Sequence, residues 1–433
     1  MLATKTNTIK ERLLKCYNNE LDHSGISGER VANRINAVSQ IGLTKDNGSN
    51  RIGFSKEERM AKELVKSWME NAGLIVKEDG AGNIFGRLEG NNPNSTVLSG
   101  SHVDSVPNGG HFDGPLGVIA ALEVVEAWNA TGYKPKKSYE VVIFSDEEGS
   151  RFNGGLRGSR AFCAELDMKE EEQKKDLYGD PFQKVIERDG LTLEGFMNTK
   201  RDLKEINAFV EVHIEQGKIL KKQKVPVGIV SGIAGPSWLR ITFHGESGHA
   251  GNTPMNDRND ALVAASEFIG QVSRLPQQVS RTAVATVGKL QVYPNGVNVI
   301  SEKIELYVDI RDIQQHTLDS LTDLIKKKAI EIGEQHQIKV DYEQTLNVSP
   351  VPIDETMQNM LFETVKNLGI KPVLLPSGAA HDTMVLGRNV PSAMIFVRSK
   401  DGISHSPKEW TTLDDCVQAI HVLKSTIESL VSE

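Results

Sequence analysis

The sequence predicts an α/β protein: one sheet domain with helices on its faces, interrupted by a smaller βαββαβ domain. Three observations carry this. Strand-like and helix-like segments alternate over residues 1–224. A self-contained run of strand, helix, two strands, helix and strand follows within 225–345, and the first pattern resumes over 346–433. A chain of 433 residues also exceeds one typical domain of ~100–200 residues, so an insertion or a second domain is expected.

Taken in order, residues 55–73 (SKEERMAKELVKSWMENAG) read as an amphipathic helix. Ser55 stands where an N-cap would, Glu58 completes a capping box, and Met60, Leu64 and Trp68 fall at helical spacing. Strand-type runs follow at 74–76, 84–87 and 96–99, then a Gly-rich turn region, a helix at about 115–128 and a strand at 141–144. In the central block, 237–243 alternates as a strand and 257–273 reads as a helix. Residues 284–292 and 304–310 are strands, 318–333 a helix and 338–342 a strand. The last stretch offers a helix near 357–368, a strand at 393–397 and a helix at 413–430.

Fifty Lys+Arg against 58 Asp+Glu give a net charge of −8, with no basic stripe, which argues against nucleic acid as a partner. The run Lys326–Lys328 sits beside Asp323 and Glu331 in a helical pattern and reads as a solvated face. Cys16, Cys163 and Cys416 are far apart, so neither a disulfide framework nor a cysteine-rich zinc site is expected. The opening segment MLATKTNTIKERLLKCYNNE has no apolar h-region, and no run reaches 18 apolar residues. A soluble, cytoplasmic protein without a membrane partner is the expectation.

Several histidines and carboxylates stand at turns after apolar runs, where an open α/β sheet binds its ligands. In GSHVD, His102 can ligate a metal while Asp104 accepts its other ring N–H; a hydrogen-bonded structural histidine is the commoner role. In NGGHFDGPLG, Asp113 can offer an oxygen ligand or cap the helix that follows, and His111 competes as a ligand. In FSDEEG, three consecutive carboxylates need a cation or full solvation; one of Glu147 and Glu148 can bind metal while the other moves a proton. His213 in VEVHIEQG and His405 in GISHSP complete the set. Each is weak alone, but together they can supply a mixed N/O shell for two divalent ions sharing one carboxylate. No HExxH, GxSxG or GxxxxGK[ST] occurs, and Gly80-Ala81-Gly82 lacks the context of a dinucleotide fingerprint.

At these residues the chain resembles the amidase/hydantoinase/carbamoylase family of dinuclear-metal amidohydrolases, related to aminoacylases and metallopeptidases. Matching segments run from RIGFSKEERMAKEL and GAGNIFGRLEG through GSHVDSVPNGGHFDGPLGV, FSDEEGSRF and VEVHIEQG. They continue in GHAGNTPMNDRNDAL, PNGVNVI, VDIR, GAAHDTMVL and GISHSPKEWT. The resemblance implies a mixed-sheet, metallopeptidase-like catalytic domain whose inserted βαββαβ domain serves as lid and dimerisation domain. It implies two divalent ions per subunit, of Zn, Mn, Co or Ni. His102, Asp113 and His213 would hold one; Asp113, Glu148 and His405 the other. Glu147 matches the general base and Asp104 the group orienting His102, while His111 falls at a variable position and is set aside.

The same resemblance implies that His249, reaching in from the partner subunit of a homodimer, polarises the scissile carbonyl. Asn298 and Arg311 would hold the substrate, Arg311 gripping an α-carboxylate, a task its planar fork suits; without that context Arg311 reads equally as half of a surface ion pair. Gln216 would contact the ureido group, and His381 and Asp382 would lie near the pocket. The implied substrate is a small anionic ureido compound, an N-carbamoyl-L-amino acid hydrolysed at its carbamoyl C–N bond. Allantoate or a β-ureidopropionate-type substrate is the rival, and a catalytically inactive metal-binding relative the alternative from another class.

Overall fold

The structure, a computed structural model, describes residues 8–432; the first seven residues of the polar opening segment and Glu433 lie outside the described residues. Two compact units result. The first takes the described residues of Met1–Val230 with Ile353–Leu375 and His381–Glu433; the second is Ser231–Pro352 with Pro376–Ala380. The second unit thus starts and ends a few residues later than the expected 225–345, and a five-residue return segment joins it that no sequence pattern marks.

In the first unit the sheet runs Ile75–Glu78, Ile84–Leu88, Lys137–Phe144, Asn92–His102, Ile206–Ile214, Ser392–Val397 and then Val227–Ile233. Its centre is parallel: Asn92–His102 pairs in parallel with Lys137–Phe144 and with Ile206–Ile214, which pairs in parallel with Ser392–Val397. The flanking pairs are antiparallel, so the sheet is mixed. Central strands buried on both faces read as apolar runs, and every residue of Ser392–Val397 is buried. Helix Pro115–Thr131 is apolar nearly all round and is correspondingly buried, with Pro115 in its first turn and Gly132, at φ 75°, ending it.

The expected helix at 55–73 forms as Lys56–Asn71, but with a different buried face. Glu58, Ala61, Lys62, Val65 and Met69 are buried, while Met60 is 49% exposed. Charged residues take core positions because they pair: Lys62 Nζ lies 2.7 Å from Glu58 Oε1 and donates to Ser145 Oγ at 2.8 Å. The capping box is half made. Ser55 Oγ accepts from Glu58 N, but the Glu58 carboxylate turns to Phe54 N. Between residues 151 and 205 lie the helices Arg157–Phe162, Met168–Gln173, Phe182–Arg188 and Leu193–Met197, each too short to show a period. Phe54, Phe152, Phe182 and Phe196 form an aromatic cluster among them.

The second unit has the expected βαββαβ order. Its antiparallel sheet runs Lys339–Asn347, Gly235–His244, Lys303–Asp312, Val284–Tyr293, with helices Ala261–Val272 and Gln315–Gln335 sharing its core. In Lys303–Asp312, Ile304, Leu306, Val308 and Ile310 enter the core, so Glu305, Tyr307, Asp309 and Arg311 occupy the opposite face. Lys326 and Lys328 pair with Asp323 and Glu331 on the outer side of Gln315–Gln335. No helix among the described residues is long and apolar enough to cross a membrane.

Candidate active site

Parallel pairing brings the carboxyl ends of four neighbouring strands to one edge of the first unit's sheet, the side on which open α/β sheets bind ligands. His102 ends Asn92–His102 in register with Phe144, and His213 pairs with Phe396. Asp146, Glu147 and Glu148 follow Phe144 directly, Asp146 turning the chain at φ 49°, and His405 stands in the loop after Ser392–Val397.

Two groups of potential ligands result. One donor atom from each of His102, Asp113 and His213 lies within 4.8 Å of the others, and the same holds for Asp113, Glu148 and His405. Asp113 belongs to both groups. His213 Nδ1 lies 3.0 Å from the carbonyl of Ile214, which can only accept, so this nitrogen carries a hydrogen and Nε2 is the atom turned to Asp113. His102 Nδ1 lies 3.2 Å from Asp104 O and 3.3 Å from Asp104 Oδ1, with the same consequence. Both Nε2 atoms are buried without a hydrogen-bond partner, 3.8 Å (His102) and 3.0 Å (His213) from Asp113 Oδ1. As neutral imidazoles the two rings present buried lone pairs to a carboxylate, which is unfavourable unless a proton or a metal cation lies between them. Imidazole nitrogens and carboxylate oxygens are the donors a divalent transition ion takes, so these residues fit one.

The electrostatics agree. Burial opposes charge on His102, but Glu147, Asp104 and Glu148 hold its pKa well above the usual imidazole value. Burial pushes the Glu147 carboxyl far up; His102 opposes this, while Asp382 and Glu148 reinforce it. Burial and Asp113 raise Glu148. Asp113 is lowered despite burial, by His213 and His102. The pocket holds more buried carboxylates than buried cations and so attracts positive charge.

Asp104 ties the parts together. Its Oδ1 accepts from Glu147 N at 3.2 Å and its Oδ2 from Glu148 N at 3.1 Å, so the carboxylate beside His102 also fixes the loop carrying both glutamates. Glu147 Oε2 is 3.5 Å from His102 Nε2. The alternative reading of Asp113 as a helix cap is corrected: Gly114 is the N-cap, at φ 82° and with no side-chain cap bond. Asp113 Oδ2 instead accepts from Gln216 Nε2 at 2.8 Å and Ser404 Oγ at 2.5 Å. A Cβ on Gly114 would lie 2.4 Å from His102 Cε1, so only glycine lets the Asp113 turn approach that ring.

Ser404 and Glu409 are neighbours of Asp113 that no spacing rule marks. Glu409 Oε1 accepts from the backbone of Phe112 (2.8 Å) and Asp113 (3.1 Å), and its Oε2 lies 3.0 Å from Ser404 Oγ. Burial and Asp113 push Glu409 up to about 7. Beneath the site, Glu211 accepts from Ser101 Oγ, Thr383 N and Thr383 Oγ1. His381 is fully buried with its ring 4.3 Å from that of His213, and Asp382 is raised to about 8 by burial and Glu211. His111 stands apart from both ligand groups, its Nε2 2.9 Å from Asn47 O.

The remaining candidates lie in the second unit. Gly248–His249 pairs antiparallel with Val299–Ile300, and Ala250 N donates to Asn298 O at 3.0 Å, which brings exposed His249 and Asn298 to one two-stranded ladder. His249 Nδ1 accepts from Gly251 N at 3.0 Å, leaving Nε2 as the hydrogen-bearing nitrogen. Arg311 lies on the sheet face away from the helices.

Residues 98–429 match the family model described as Peptidase family M20/M25/M40. The chain is 43% identical over 406 residues to an N-carbamoyl-L-amino acid amidohydrolase of Geobacillus stearothermophilus, covering 94% of this chain and 99% of that one. It is 35% identical over 383 residues to an allantoate amidohydrolase of Bacillus subtilis, covering 88% and 92%. Among solved structures, a hydantoinase/carbamoylase-family amidase from Burkholderia multivorans superposes with a TM-score of 0.87 at 31% identity, covering 94% and 99%.

Proposed function

The chain belongs to peptidase family M20/M25/M40 and, within it, to the hydantoinase/carbamoylase amidases; on that premise we propose that it hydrolyses the carbamoyl C–N bond of N-carbamoyl-L-amino acids. The products are the free L-amino acid, ammonia and carbon dioxide. The observation that carries this reading is the pair of ligand groups sharing Asp113, with Glu147 beside them but in neither.

His102, Asp113 and His213 would hold one divalent ion, and Asp113, Glu148 and His405 a second. Such ions supply Lewis acidity toward water and a carbonyl oxygen, and Zn, Mn, Co and Ni all suit the donor set. The protein's own work is proton transfer and positioning. Glu147 takes a proton from the attacking water on its carboxylate and gives it to the leaving nitrogen. Asp104 holds the Glu147 backbone for that exchange. His249, with its hydrogen on Nε2, donates to the developing oxyanion. Arg311 grips the α-carboxylate, Asn298 assists it, and Gln216 contacts the ureido group from beside Asp113.

In this reading the enzyme is a homodimer, and each site takes His249 from the partner subunit. An inactive His249→Ala protein mixed with an inactive Glu147→Gln protein regains partial activity, because a heterodimer contains one site with both groups intact. Proven subunit exchange with no recovered activity would remove the shared site. A reducing, cytoplasmic setting fits three free cysteines, two of them buried; recovery of the native protein in a membrane fraction would contradict it.

The substrate is tested by ammonia release from a panel of N-carbamoyl-L-amino acids, a β-ureido acid and allantoate. Preferred turnover of a carbamoyl α-amino acid is the expected result. Preference for allantoate would make the protein an allantoate amidohydrolase, and no ammonia from any compound would leave a metal-binding relative without turnover.

A further inference from the structure

The geometry points to Asp309 as a positioning residue that, with the carbonyl of Gly378, fixes the Arg311 guanidinium so that one terminal N–H pair stays open for a planar carboxylate. The inference rests on the reading of Arg311 as the carboxylate grip and deepens it.

A guanidinium has five N–H donors: one on Nε and two on each terminal nitrogen. Asp309 Oδ1 accepts from Arg311 Nε at 2.9 Å and Oδ2 from Nη2 at 2.8 Å, a two-pronged pair along one edge of the fork. Gly378 O accepts from Nη1 at 2.7 Å. Three donors are thus used, and one N–H remains on each of Nη1 and Nη2. With Gly378 O on the Cδ-side hydrogen of Nη1, the two hydrogens left lie along the terminal edge, where a second carboxylate binds bidentately. The side chains of Arg311 and Asp309 are 33% and 32% exposed, so the pair is not sealed from a ligand.

Both clamps are themselves held. Asp309 and Arg311 are two residues apart on Lys303–Asp312 and so share a sheet face; the strand is flanked on both sides, Asp309 pairing with Trp238 and Thr286. Gly378 sits in the return segment Pro376–Ala380. Ala234 N donates to Ser377 O at 2.9 Å, and Ser377 Oγ donates to Ala379 O at 2.8 Å, bracing the turn around the Gly378 carbonyl. An unrestrained arginine would lose rotamer freedom on gripping substrate. Here the fold has met that loss beforehand. The Gly378 carbonyl sets this arrangement apart from a simple surface ion pair, which needs no third partner from a distant segment.

The test compares Asp309→Asn and Asp309→Ala with the unaltered enzyme, using the N-carbamoyl-L-amino acid turned over fastest in the panel. The expected result is a KM raised about tenfold, as for loss of ground-state and transition-state binding alike, with kcat changed less than about threefold. Metal content and thermal midpoint should stay close to those of the unaltered enzyme; a general structural role would move kcat, metal content and midpoint together. An unchanged KM would overturn the inference, and a lowered KM would make Asp309 a competitor for the guanidinium. Arg311→Met separates the two levels. If it raises KM while the Asp309 variants do not, only the positioning role fails; if it too leaves KM unchanged, the carboxylate grip itself is wrong.

Discussion

Glu147→Gln lowers kcat by about 10²–10⁴-fold, the span expected for loss of a general acid–base group, while the protein keeps its full metal content. Glutamine preserves the shape of the side chain and its place 3.5 Å from His102 Nε2, but it cannot take a proton from water or return one to nitrogen. Metal is retained because Glu147 stands in neither ligand group. Glu148→Gln is the control: it lies in the second group, so that variant loses metal as well as rate. Steady-state kinetics with elemental analysis checks both. Near-native kcat in Glu147→Gln would remove the general-base assignment.

Arg157→Met destabilises the first unit by about 3–5 kcal/mol, the usual cost of removing one partner from a buried ion pair. Arg157 is 1% exposed and serves two carboxylates at once, with Nη1 2.5 Å from Asp146 Oδ2 and Nε 2.7 Å from Glu171 Oε2. Its guanidinium also lies over the rings of Phe152 and Phe182. Methionine restores apolar packing but strands Asp146 in the core and leaves Glu171 with Lys174 alone, 2.6 Å away. Asp146 immediately precedes Glu147, so the loop carrying the base loosens too, and activity falls faster on heating than in the unaltered enzyme. Chemical denaturation measures the loss; a change under 1 kcal/mol would mean the acids find other partners.

The parts legible in the sequence were those with a period or a punctuated strand end. His102, Glu147, Glu148 and His213 each follow or close an apolar run, so their position at the sheet edge could be read from one dimension. The βαββαβ unit was legible because its strands alternate and its helices are long. Asp113 was ambiguous because Asp before a helix caps far more often than it ligates; only the approach of His213 and Ser404 decides the matter. Glu58 and Lys62 defeat hydrophobic periodicity, since each is buried through the other. Glu409 touches Asp113 across almost 300 residues, a contact no local pattern encodes. The return segment 376–380 joins the second unit through Ala234 and Arg311, again a tertiary effect.

We propose that four side chains and the Asp113 they share hold two divalent ions that the hydrolysis requires. This is tested by titrating chelator-stripped protein with Mn, Zn, Co or Ni while following ammonia release from an N-carbamoyl-L-amino acid. Activity that is absent without metal and levels off at about two ions per chain is the predicted result, two being the complement of a shared-carboxylate hydrolytic site. Full activity in the stripped protein, or a plateau at one ion, would contradict it.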